Sequence, residues 1–139
     1  MKKMKIGWIL GLCMIMSFSL LTACSKASLN EGFDEGQVKL AAEEVIDLVN
    51  KEDSEKILAM SSDEMRSALS EEVLASIYKD MEGAGDFKAI KSQSIGGHKD
   101  KDSEEEFAIA SVLAEYENKN YTFTITFTKD MKLAGIFYK

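Results

Sequence analysis

The sequence predicts an α+β domain, helices first and an antiparallel sheet afterwards, carried behind an N-terminal targeting segment. Three observations predict it. Apolar residues from Gln37 to Gly85 recur at helical spacing, and after Gly85 the spacing shifts towards two. Tyr121, Phe123, Ile125 and Phe127 alternate strictly with Thr122, Thr124, Thr126 and Thr128, the pattern of a half-buried strand. The first residues differ in composition from all that follows: a basic start, an apolar core and a small-residue exit, the three parts of a secretory signal peptide.

In chain order, Met1–Lys5 carries Lys2, Lys3 and Lys5 with no acid, and an apolar stretch runs from Ile6 to about Leu21. Leu21-Thr22-Ala23-Cys24 follows and resembles the bacterial lipoprotein box. The resemblance implies that residues 1–23 are removed, that Cys24 receives a diacylglyceryl thioether, and that its new amine is open to acylation. The chemistry needs a thiol, because a thiolate attacks a lipid donor far better than a hydroxyl does. An uncleaved membrane helix is the plainer alternative, since the apolar stretch sits at the short end of a spanning length. The lipoprotein reading is favoured because Cys24 stands where the apolar run ends and a polar segment begins. Cys13 would leave with the peptide, and Cys24 would remain as the one cysteine, so no internal disulfide is expected. Loss of the three leading lysines takes the formal charge from −7 to −10. An acidic chain of this kind has no basic surplus to neutralise phosphates, which argues against a nucleic-acid partner.

Residues 24–36 contain Gly32 and Gly36 among small and polar residues and are expected to form a flexible tether, with residues 37–139 as the folded domain. The first helix puts Val38, Ala41, Ala42, Val45, Ile46, Leu48 and Val49 on one broad face and breaks at Asn50-Lys51-Glu52-Asp53. Ser54 and the Ser61-Ser62 pair offer caps for two short helices, and Ser70-Glu71-Glu72 opens a longer one with the stripe Val73, Leu74, Ile77, Tyr78 and Met81, ended by Gly83 and Gly85. Phe87–Ile95 is expected as the first strand, Gly96–Ser103 as a polar loop, Phe107–Tyr116 as the second strand, Tyr121–Thr128 as the third and Leu133–Tyr138 as the fourth.

This order of elements is similar to the nuclear-transport-factor-2-like, or cystatin-like, cone, in which helices pack on a bent four-stranded antiparallel sheet. More specifically, Ala41-Ala42-Glu43-Glu44-Val45-Ile46-Asp47-Leu48-Val49 before the charged turn Lys51-Glu52-Asp53, Leu69-Ser70-Glu71-Glu72-Val73-Leu74, and Gly85-Asp86-Phe87-Lys88 resemble the domain of unknown function 3887 family over about residues 37–139. Tyr78 stands where that family carries an aromatic residue in its long helix. The resemblance implies a fold and no activity.

Groupings that could carry chemistry are few. His98 is the only histidine and sits in a Gly-Gly/Lys-Asp stretch that reads as solvent-facing. Zinc would want three or four ligands, and the mature chain's only thiol is expected to be lipidated. Asp100-Lys101-Asp102-Ser103-Glu104 places acids at the first, third and fifth positions of a calcium loop, but Glu105 stands where the turn needs glycine and Ser111 where a bidentate glutamate belongs. The threonine face of the third strand reads as solvent-exposed, with a ligand-lined pocket as the alternative. No catalytic residue, metal site or cofactor is therefore assigned, and Cys24 is the single site residue. The expectation is a non-enzymatic binding or interaction module, lipid-anchored in the cell membrane and facing outside the cytoplasm. Its partner is the membrane through Cys24, together with a protein, peptide or small molecule that the sequence does not specify. The alternative is a small enzyme or ligand-sequestering domain using an interior cavity, with Tyr78 or Tyr116 pointing into it.

Overall fold

The computed structural model describes residues 28–139. The segment read as a signal peptide, residues 1–23, and Cys24 lie outside the described residues. Four helices precede four strands: α1 Glu35–Asn50, α2 Ser54–Met60, α3 Asp63–Ala68, α4 Glu71–Ala84, β1 Phe87–Lys99, β2 Glu106–Tyr116, β3 Asn120–Thr128 and β4 Leu133–Tyr138. All neighbouring strands are antiparallel, in the order β1-β2-β3-β4. The fold is α+β, with the helices on one face of the sheet.

Each helix begins where a short polar side chain can take up a free backbone N–H. Asp34 Oδ1 accepts from Gln37 N, Asp53 Oδ1 from Lys56 N, Ser62 Oγ from Met65 N and Ser70 Oγ from Val73 N. α1 ends at a left-handed Glu52, φ +55°, beside which Asp53 N–H donates back to the Leu48 carbonyl. α4 runs through the exposed Gly83 and ends at Gly85, φ +83°. A Cβ at Gly85 would stand 2.9 Å from both Glu117 Cβ and Asn118 Nδ2, so the β2–β3 turn closes over the helix end only because that atom is missing.

The inner face of the sheet is set by register. Ala108 lies opposite Phe127, Ala110 opposite Ile125, and Val112 opposite Phe123. All six are fully buried, the rings on β3 filling the space that the alanines on β2 leave. Val38, Val45, Ile46 and Val49 of α1 and Ile57 of α2 complete the core. The expected orientation of Phe123, Ile125 and Phe127 towards the helices is what the structure has.

Two boundaries differ from expectation. β1 continues through Gly96, Gly97, His98 and Lys99, which pair with Ile109, Ala108, Phe107 and Glu106, so the loop shrinks to Asp100–Glu105. The glycines resemble a turn signal in isolation, whereas Gly97 serves a close approach between distant segments. α1 starts at Glu35, and the residues before it are part of the fold: Leu29 and Phe33 pack against the core, and Asn30 Nδ2 donates to the His98 carbonyl at 3.1 Å. Of the segment read as a tether, only residues 24–27 lie outside the described fold.

Candidate functional site

The space between helices and sheet is filled. Ile46, Ile57, Phe123, Ile125 and Phe127 are each at most 1% exposed. The two tyrosines that an interior site would use are already engaged: Tyr116 Oη donates to Asn50 Oδ1 at 2.7 Å, and the Tyr78 hydroxyl lies 2.7 Å from Ser54 Oγ. Burial, opposed by the bond to Asn50, pushes the Tyr116 hydroxyl up to about 12, so it is a poor proton donor or base at neutral pH. Asp86 is exposed beside them, its carbonyl accepting from Glu117 N.

His98 is exposed on the outer side of β1. Its contribution to the fold is its backbone carbonyl, which receives Asn30. In the neighbouring loop Asp100 Oδ1 accepts from the backbone N–H groups of Asp102 and Ser103, both at 2.9 Å. Those two bonds hold its carboxyl below the usual carboxylate range, and they occupy the oxygen that a calcium loop would direct at the ion. Among the described residues no three His, Cys, Asp or Glu side chains are grouped to hold a metal ion.

An open groove of about 710 Å³ lies at the end of the sheet where β1 stops, between α3, the β1–β2 loop and the β3–β4 turn. Acids outnumber bases along it, and two of its cations, Lys129 and Arg66, have partners. Lys129 Nζ is 2.7 Å from Glu106 Oε2, whose carboxyl is held low by that contact. Arg66 donates to the Leu58 carbonyl at 3.2 Å and lies 3.5 Å from Asp63.

The sheet face turned away from the helices has another character. Cross-strand pairing sets Ser94, Ser111, Thr124 and Phe137 in one row, Gly96, Ile109, Thr126 and Gly135 in the next, and Ser92, Leu113 and Thr122 in a third. The side chains of these rows are not ionisable, and the charges of this face gather at its β2–β3 end, where Lys139 pairs with Thr122 and Glu115 lies 3.2 Å from Lys91. A shallow depression of about 350 Å³ is bordered by Ser92, Ser94, Ser111, Leu113 and Thr122. Phe137, at the β4 end of the first row, is 69% exposed, among the most exposed large apolar residues described. Such a face offers hydroxyl donors and acceptors around an apolar ring, suited to a partner that is itself uncharged. The threonines of this face were legible in the sequence. The serines were not, because β1 and β2 lack strict alternation and their partners are fixed only by the register.

A family model described as "Protein of unknown function (DUF3887)" matches residues 42–136. The fold is similar to the NMR structure of a protein from Ruminococcus gnavus ATCC 29149, with a TM-score of 0.71 and 25% sequence identity over 81% of this chain and 96% of that one. No curated protein matches the chain.

Proposed function

The chain belongs to the DUF3887 family, and from that premise we propose that it is a lipid-anchored binding module on the outer side of the cell membrane, not an enzyme, with the outer sheet face as its docking surface. The observation that carries the binding part is the hydroxyl-rich patch around exposed Phe137, whose central rows hold no ionisable side chain, in an otherwise acidic domain. Like-charge repulsion keeps acidic partners from much of an acidic surface, and the central rows of this face offer contact without that penalty. The anchoring part rests on Leu21-Thr22-Ala23-Cys24 at the end of the apolar run. The alternative, an enzyme or ligand trap with an interior cavity, would need the space that Ile46, Ile57, Phe123 and Phe127 fill.

Both parts are testable in the full chain. Growth with a clickable fatty acid should label the wild type and leave Cys24→Ser unlabelled, and equal labelling of the two would remove the anchor. A photo-crosslinking residue at Thr124 should capture a partner in intact cells that the same residue at Glu55, on α2, does not. Equal capture at both positions, or capture at Glu55 alone, would move the docking surface elsewhere.

A further inference from the structure

Residues 28–33 form a built feature. A Cβ on Gly97 would stand 2.6 Å from the Ser28 carbonyl oxygen and 2.8 Å from Asn30 N, so backbone lies directly on backbone where β1 has no side chain. Any larger residue at Gly97 would push the segment away. Asn30 Nδ2 bonds the His98 carbonyl at 3.1 Å, and Phe33 N–H closes a turn on the Asn30 carbonyl. Gly32 takes φ +92° and passes close to the Lys129 side chain at the β3–β4 turn. Leu29 and Phe33 are packed on the core. The segment thus touches β1, the β3–β4 turn and the interior at one end of the sheet.

We infer that Ser28–Phe33 is a strap that fixes which end of the domain faces the lipid surface: the end bearing the Asp100–Glu105 loop and the β3–β4 turn. The inference rests on lipidation of Cys24. Cys24 stands four positions before Ser28, and four extended residues span at most about 14 Å. β2 has 11 residues and is therefore about 37 Å long at its usual rise. A tether shorter than half the strand cannot let the molecule invert, so the β2–β3 turn at Glu117–Lys119 points away from the bilayer. With the strap undocked, the free chain would run from Cys24 to the start of α1 at Glu35, and the 11 residues would reach up to about 38 Å extended, as long as the strand itself. Docking the strap therefore decides between one orientation and many. The proximal end carries Asp100, Asp102, Glu104, Glu105 and Asp130 against Lys99, Lys101, Lys129 and Lys132, so its charges nearly cancel and the strap, not a basic patch, sets which end faces the lipid.

The test uses the lipidated mature protein in vesicles containing headgroup-nitroxide lipid, with a fluorophore on Lys101→Cys or on Lys119→Cys. Quenching should be strong at position 101 and weak at position 119. In Gly97→Val the difference should be lost. Because that variant also burdens β1, the double variant Asn30→Ala/Phe33→Ser, which leaves the strand intact, should lose it too. Equal quenching at the two positions in the wild type, with fatty-acid labelling intact, overturns the strap, and so does a difference that survives both variants. Absence of fatty-acid labelling counts instead against the anchor and takes the inference with it.

Discussion

Phe123 and Thr124 are neighbours in the chain and opposites in environment. Phe123 is fully buried against the helices, while Thr124 lies on the outer face between Ser111 and Phe137. Phe123→Ala should cost about 3–5 kcal/mol, the usual range for a buried ring. Thr124→Ala should stay within about 1 kcal/mol. Urea denaturation of the two variants measures both, and a larger loss for Thr124→Ala would reverse the assignment of faces. A second pair of residues differs in sign. Glu52 holds a left-handed backbone at the end of α1, and relieving that conformation with Glu52→Gly should raise stability by about 1 kcal/mol. Gly85 holds a positive φ that suits glycine and has no room for a Cβ, so Gly85→Ala should lose more than about 1 kcal/mol. Melting temperatures moving in opposite directions would bear out both.

Among the elements, the rings that close the sheet at its β2–β3 turn respond to alkali. Phe87, Tyr116, Tyr121 and Tyr138 meet edge to face, with successive centroids 5.6, 5.7 and 5.4 Å apart. Burial raises both the Tyr116 and Tyr138 hydroxyls, and the Asp80 carboxylate beside Tyr138 raises that group further. A tyrosine whose pKa is higher when folded holds its proton more tightly in the native state. Its contribution is complete below the ordinary value near 10 and is lost as pH climbs from there towards about 12. Stability should therefore fall over that window, and Tyr116→Phe should flatten part of the fall. Denaturation midpoints at pH 9, 10 and 11 (roughly the span on either side of a free tyrosine) read it directly, and an unchanged slope in the variant would show that Tyr116 does not carry it. The same elements show what a sequence can say. The caps at Ser62 and Ser70 and the alternation of β3 were legible because each is a local rule. The end of β1 was not. Gly96 and Gly97 read as a loop, since the segment that needs the missing Cβ lies far upstream at Ser28 and Asn30. Gly83 read as a helix end for a similar reason: what stops α4 is Gly85 under the β2–β3 turn, a tertiary contact. The hydroxyl face of β1 and β2 was hidden likewise, because irregular strands reveal their faces only through their partners.

For the whole molecule, the strap moves the start of the cooperative unit upstream of the first periodic residue. A chain beginning at position 37 should still fold in one transition, and should melt below a chain beginning at position 28. The longer chain keeps the Asp34 cap, worth about 1 kcal/mol, and the apolar contacts of Leu29 and Phe33. Scanning calorimetry of the two chains decides it, and identical melting temperatures would mean that the strap adds nothing to the fold. The two outermost strands bear on a different problem. β4 is six residues long and is clipped at its start by Ser62, whose N–H donates to the Leu133 carbonyl at 2.8 Å. β1 is interrupted by register shifts between Phe87 and Ala89 and between Ile90 and Ser92, carries Lys88 and Lys91 there, and is overlaid by the strap at its far end. Bulges, lysines and a short rim are what discourage a strand from recruiting a foreign one. Anchoring confines proteins to two dimensions and multiplies their encounters side by side. On the anchor proposed at Cys24, a sheet whose rims are spoiled in this way can be crowded on a bilayer without zipping into its neighbours.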